Sequence, residues 1–166
     1  MIYCKQIPIP ILPILDIDIT KIKSLYTKGY HLFNERYHAN PYWRSLDIIK
    51  EFEVSPLLVR FPSITSWFAS IKKYTGITKI KHSYISVLDG KHSIPWHSDS
   101  INQDFNKSFI TAISTKNSFI ELDDVKYTYE DGYSYIFKSG IRHRVINFND
   151  DLRITLCTTP EENPYV

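Results

Sequence analysis

Three side chains of this sequence have the types and spacing of a metal site. They are His97, Asp99 and His143, in the runs Trp96-His-Ser-Asp and Arg142-His-Arg-Val-Ile-Asn. Two neutral imidazoles and one carboxylate form the ligand set of non-haem Fe(II), which leaves coordination positions open for a co-substrate and dioxygen. The same donors accept Zn(II), Mn(II) or Ni(II), so they do not name the ion by themselves. Arg153 follows His143 by ten residues. From a strand, its guanidinium can fork onto the carboxylate of a dicarboxylic co-substrate. A lone His-x-Asp has a plainer reading, with Asp99 capping a turn and His143 on a solvated strand face. The joint spacing argues against it: 46 residues from position 97 to 143, then Arg153-Ile-Thr.

Such a site needs strands to carry it. Positions i and i+2 of a strand share a face, so His97 and Asp99 can reach one ion from a strand or its frayed end. Pro95, just before them, favours a strand end over a central ladder position. From Lys79 onward the pattern predicts strands near 80–88, 107–115, 117–122, 125–129, 133–138, 142–148 and 152–158. Asp89-Gly90, Asp123-Asp124, Asp131-Gly132, Ser139-Gly140 and Asn149-Asp150-Asp151 supply the turns. Before them, the first ~20 residues read as extended, because Pro8, Pro10 and Pro13 exclude a helix interior. A short helix is expected over 19–30 and mixed structure over 40–60. The clearest helix runs from Ser63 to Tyr74, with Ser63 as N-cap, Ile64, Trp67, Phe68 and Ile71 on one face, and Gly76 as the stop. This order predicts a mainly β fold with N-terminal helices, a jelly roll backed by a helical layer. A single domain is expected over 1–166, with the extended and helical layer at 1–78 and the jelly-roll core at 79–160.

Bulk properties fit that picture. The 166 residues are 43% hydrophobic and 23% charged, with a net charge of +2. Near-balanced charge gives no electrostatic case for nucleic acid or a membrane surface. Cys4 and Cys157 are too few for a disulfide framework and lack metal-ligand spacing. The N-terminal prolines interrupt any signal-peptide core, and no stretch approaches the ~20 apolar residues of a membrane span. A cytoplasmic protein is expected. The richness in Ile, Lys, Asn and Tyr matches AT-rich genomes such as those of many viruses and phages.

The residues resemble the Fe(II)/2-oxoglutarate-dependent oxygenases, and within them the aspartyl/asparaginyl β-hydroxylase family. The likeness covers about residues 80 to 160. It runs from Ser86 through Trp96-His97-Ser98-Asp99, Phe109-Ile-Thr-Ala-Ile-Ser-Thr, Tyr129-Glu-Asp-Gly132 and Tyr135-Ile-Phe137 to His143-Arg-Val-Ile-Asn147 and Arg153-Ile-Thr-Leu156. It implies a double-stranded β-helix. It also implies a hydroxylase whose metal ligands are His97, Asp99 and His143, with 2-oxoglutarate as co-substrate and dioxygen as oxidant. Arg153 then holds the distal carboxylate of 2-oxoglutarate, Ser86 donates a hydrogen bond beside it, and Lys107 takes the place of a family arginine that helps hold the co-substrate. The implied substrate is an aspartyl, asparaginyl or other amino-acid side chain, in a protein, a peptide or a free amino acid.

Two alternatives stand beside this. Asp89-Gly90 and Ile94-Pro-Trp-His97-Ser-Asp99 also resemble AlkB-type nucleic-acid demethylases. Those carry an Asn and a Tyr where this chain has Ile85 and Val87, and a second Arg where it has Thr159. The other alternative is a non-enzymatic jelly-roll binding module. Secondary residues carry weaker expectations. Trp96 is a candidate wall of the site, Arg142 and Arg144 face away from it, and Arg44, Arg60 and His82 are surface charge. His92 sits exposed in a turn, and Tyr84, Tyr127, Tyr129, Tyr133 and Tyr135 pack the sandwich.

Overall fold

The computed structural model describes residues 4–7, 16–36, 40–99, 108–138 and 140–161. The chain runs β1 (Cys4–Gln6), α1 (Asp16–Lys28), β2 (Asn34–Glu35), β3 (Trp43–Lys50) and β4 (Glu53–Val54). It continues through α2 (Pro62–Thr75), β5 (Ile80–Leu88), β6 (Ser93–His97), β7 (Ser108–Ser114), β8 (Ser118–Leu122) and β9 (Val125–Tyr127). It closes with β10 (Ser134–Phe137), β11 (His143–Asn147) and β12 (Arg153–Pro160). The major sheet has the order β1-β10-β7-β12-β5-β3-β2, with β4 paired to β3; the minor sheet has the order β6-β11-β8-β9. The strands pair antiparallel. Two facing antiparallel sheets with crossed connections make the expected jelly roll, a double-stranded β-helix.

The strand parity of the major sheet separates two cores. On β5 and β12, Ile85, Val87, Ile154 and Leu156 pack outward against Ile22, Trp67 and Ile71 of the two helices. The alternate residue Leu88 points between the sheets, toward Ile94, Ile110, Ile120 and Val145. A sheet covered on both faces reads as a near-continuous apolar run rather than an alternation, as in Tyr84-Ile-Ser-Val-Leu88. Full burial of each such side chain contributes about 1.5–3 kcal/mol.

The helix expectations hold with one correction. Helix α2 ends on Gly76 in the left-handed conformation, φ 74°, as its sequence predicts. Its N-cap is Phe61, with Pro62 at the first helical position, and not Ser63. The buried carboxylate of Asp18 on α1 accepts from the Ser63 backbone N–H at 3.0 Å, so the capping oxygen comes from another helix. The short strands β2 and β4 were not foreseen, nor were β3 and β6: β3 falls inside the region expected to be mixed, and β6 contains Pro95. As an edge strand that among the described residues pairs with β11 alone, β6 tolerates that proline. No helix among the described residues is long and apolar enough to cross a membrane.

Candidate metal and co-substrate site

The site lies between the sheets, where β6 and β11 meet. His97 closes β6, His143 opens β11, and the two are direct cross-strand partners. The register slips between His143 and Val145, a bulge that re-aims the strand end next to the site. The chain bends immediately after β6, and Asp99 comes from that bend rather than from the strand. One ligand atom from each of the three residues falls within 4.8 Å of the others, an arrangement that can hold a metal ion. Asp99 Oδ1 lies 3.2 Å from His97 Nε2 and 3.8 Å from His143 Nε2, and the imidazole centroids are 4.2 Å apart.

Both imidazoles are fixed in the tautomer that metal ligation needs. Each Nδ1 lies 2.7 Å from a backbone carbonyl two residues earlier, Pro95 for His97 and Ile141 for His143. A carbonyl only accepts, so Nδ1 carries the proton and the Nε2 lone pair faces the site. Burial pulls the His97 imidazole down, but the Asp99 carboxylate and the Pro95 carbonyl outweigh it and hold His97 above its ordinary value. At His143 burial prevails and holds the ring below its ordinary value. Burial also works against the Asp99 charge, yet the His97 hydrogen bond and the neighbouring His143 keep its carboxyl below its usual range.

Arg153 shares the pocket with His97, Asp99 and His143. It is 4% exposed, and its Nε donates to Ser118 Oγ at 3.2 Å. No carboxylate pairs with it among the described residues, and Nε–Ser118 is its hydrogen bond there. A guanidinium almost wholly removed from water, with its terminal edge unmatched, fits a carboxylate ligand. The Tyr129 ring lies 5.7 Å from its Cζ. Ser86 lines the same pocket, 4% exposed, and its Oγ accepts from Trp43 Nε1 at 3.0 Å, which leaves its own proton to donate. Fe(II) and 2-oxoglutarate therefore fit the donors present: three ligands with neutral or anionic lone pairs, and one buried cation beside a free hydroxyl. Lys107 lies outside the described residues.

Other expectations sort clearly. Trp96 does not wall the site. It points outward between Arg142 and Arg144, whose guanidinium carbons lie 4.7 and 4.9 Å from its ring. Those arginines face away from His143 as expected, with Arg144 paired to Glu121 at 2.7 Å. Arg44 is held by Glu35, and His82 by Glu51 at 3.1 Å. His92 stacks on Tyr42 at 3.5 Å. Tyr84 belongs to the site and not to the sandwich packing, since it lines the metal pocket and the cleft outside it. Sequence reasoning missed Ser118 and Trp43. Neither carries a spacing signal, because each acts on its partner only through tertiary contact.

A jelly roll with two histidines, a carboxylate and a buried arginine around one pocket is the architecture of a 2-oxoglutarate-dependent oxygenase. The sequence matches the aspartyl/asparaginyl beta-hydroxylase family over residues 18–161, and the chain belongs to that family. It is a 2-oxoglutarate-dependent oxygenase of the hydroxylase type, with Fe(II) and 2-oxoglutarate as its cofactor and co-substrate. Solved structures share the fold. A Pseudomonas putida prolyl-4-hydroxylase superposes with a TM-score of 0.59 at 14% identity, over 95% of this chain and 91% of its own. A Trichoplax adhaerens prolyl hydroxylase, in complex with a hypoxia inducible factor oxygen degradation domain peptide fragment, gives 0.61 at 12% identity over 95% and 83%. A 2OG-Fe(II) oxygenase family oxidoreductase from Burkholderia pseudomallei gives 0.56 at 12% identity over 87% and 79%. Comparison with curated protein sequences finds no match.

Proposed function

We propose that this protein hydroxylates an aliphatic C–H bond of an amino-acid side chain, of the aspartyl/asparaginyl type or another, presented by a protein, a peptide or a free amino acid. His97, Asp99 and His143 hold the iron, and Arg153 holds the distal carboxylate of 2-oxoglutarate. The observation that carries the reading is the convergence of three potential ligand atoms within 4.8 Å, in one pocket with a buried arginine that pairs with no carboxylate among the described residues. The peptide held by the Trichoplax prolyl hydroxylase supports a peptide-like substrate.

When bound, Fe(II) with 2-oxoglutarate and dioxygen supplies the two-electron oxidation, with succinate and CO2 as co-products and a hydroxyl on the substrate. The chain's own residues do the positioning. The Pro95 and Ile141 carbonyls hold the imidazoles in their ligating tautomer. Arg153 and the Ser86 hydroxyl give the co-substrate one orientation. Ile94, Ile110, Ile120 and Val145 line the pocket and exclude water from it. No side chain needs to act as a general base.

The test is succinate formation from 2-oxoglutarate by purified protein, with and without Fe(II), alongside His97→Ala. Fe(II)-dependent turnover that His97→Ala abolishes is the expected result. Unchanged succinate formation in His97→Ala removes the assignment.

A further inference from the structure

The metal pocket opens at Asp99 into a cleft of about 600 Å3, lined by Ser45 and Asp47 of β3, His82 and Tyr84 of β5, Thr159 of β12 and Arg36. The cations here differ in how they are neutralised. Lys81 and His82 lie 3.9 and 3.1 Å from Glu51. Arg44, on the other face of β3, is held by Glu35 at 2.8 Å. Arg36 has no carboxylate within ion-pair distance among the described residues; what fixes it is aromatic. Its Cζ lies 4.1 Å from the Tyr84 ring centroid and 5.9 Å from that of Trp43, and its backbone N–H donates to the Trp43 carbonyl. A guanidinium stacked on a ring keeps its N–H edge open to a planar acceptor. Lys50 also lines the cleft without an ion pair among the described residues, but no ring there orients it.

The position of Arg36 matters as much as its vacancy for a partner. Tyr84 lines both the metal pocket and the cleft, so the stacked cation stands at the passage between them. Asp47, the cross-strand partner of Tyr84, adds a negative charge to the same cleft and opposes a second anion there. The cleft is therefore polarised, with one oriented cation beside the site of oxidation.

Resting on the hydroxylase reading, we propose that Arg36, stacked on Tyr84, binds a carboxylate of the substrate and so sets which C–H bond lies over the metal. The substrate is then a carboxylate-bearing molecule whose anionic group lies within about a side-chain length of the oxidised carbon.

The experiment is calorimetric titration of the protein loaded with Zn(II) in place of iron and with 2-oxoglutarate. The probes are acetyl-Gly-Asp-Gly-amide, its Asn and Lys counterparts, and free L-aspartate. The Asp peptide or L-aspartate is expected to bind about ten-fold tighter than the Asn peptide, and added salt is expected to weaken that preference. Arg36→Gln is expected to abolish the Asp-over-Asn preference with Asn-peptide affinity unchanged, and Arg36→Lys to retain part of it. An equal loss for Asp and Asn probes in Arg36→Gln marks a structural role and overturns the proposal. So does a preference that survives Arg36→Gln, or the absence of binding by every acidic probe into the millimolar range. If 2-oxoglutarate still raises the melting temperature in those cases, the hydroxylase reading stands without this one; if it does not, the underlying reading fails.

Discussion

His97 and His143 are cross-strand partners, with ring centroids 4.2 Å apart, at the β6–β11 pairing beside Asp99. The pairing means that the candidate metal site and the sheet edge are built by the same contact. A metal that binds there stabilises the native state alone, by about 2.7 kcal/mol at a hundred times its Kd. Zn(II) or Mn(II) should raise the melting temperature of the protein, and His143→Ala should erase that rise while leaving a folded chain. Thermal melts with and without metal check it. A shift that persists in His143→Ala places the ion elsewhere.

The two imidazoles also differ in their affinity for protons, and this gives metal binding a pH dependence. His97 is held above its ordinary value and His143 below it. As pH falls, the metal-free protein takes its first proton at His97 and its second at His143. Each proton must leave before the metal binds. Metal affinity should therefore fall first through a one-proton region near the upper histidine and then more steeply at lower pH. Co(II) titration over roughly pH 5 to 8 measures this. Affinity that does not vary across that range excludes histidine ligation.

Arg153 carries the co-substrate prediction. No carboxylate of the described residues pairs with its guanidinium, so replacing it removes a bidentate charge-assisted contact to the co-substrate. Arg153→Gln should weaken 2-oxoglutarate by roughly 3 kcal/mol, about a hundred-fold. Metal affinity, set by other residues, should move far less. Direct titration of 2-oxoglutarate onto metal-loaded protein separates the two, and unchanged affinity would falsify the assignment of Arg153.

These residues were legible because their chemistry is rare and their spacing is written along the chain. Most of the C-terminal strands were legible too, since β5, β7, β8, β11 and β12 are bounded by turn residues. β3 was not. Its inward residues Trp43, Ser45 and Asp47 face the site, so the strand lacks the clean apolar alternation that marks a half-buried strand. β6 was hidden by Pro95, which only an edge position excuses. The Ser63 cap was misread because Asp18, 45 residues away in sequence, supplies the oxygen. Tyr84 and Arg36 acquire meaning only when β5 and the segment ahead of β3 meet at the pocket mouth.

Asn147, the end of the His143-Arg-Val-Ile-Asn run, shows how the strands around the site are tied. It is 1% exposed, and its Nδ2 lies 3.4, 3.1 and 3.0 Å from the carbonyls of Leu88, Asp89 and Asp151, while its Oδ1 accepts from the Asn149 backbone N–H. One side chain thus joins the ends of β5 and β11 to the turn before β12. Asn147→Ala leaves buried carbonyls without donors, at roughly 1–3 kcal/mol for each group left unpaired. The melting temperature should fall by several degrees. Co-substrate affinity should fall as well, because the turn that sets Arg153 loosens. A variant that loses stability with unchanged 2-oxoglutarate affinity would show that the turn does not position Arg153.

Gly90 tests the same joint from the backbone side. A Cβ added there meets the Asp150 carbonyl oxygen at 2.1 Å and its carbon at 2.5 Å, and both are backbone atoms that no rotamer change can move. The Lys91 N–H donates to the Asn149 carbonyl next to it, so the turn after β5 and the turn before β12 lie against each other without room for a side chain. Gly90→Ala must push the two turns apart. Overpacking of this kind costs about 1–3 kcal/mol or more, well above the effect of an ordinary surface substitution. Denaturant melts of Gly90→Ala measure it, with Gly132→Ala as a comparison. At Gly132 the added Cβ meets nothing within 4 Å, so the cost there comes from its φ of 87° alone. Gly90→Ala should also weaken 2-oxoglutarate, since Asp150 lies three residues before Arg153, whereas Gly132→Ala should not. Equal effects of both variants on co-substrate binding would mean that close packing of the two turns is not what sets the arginine.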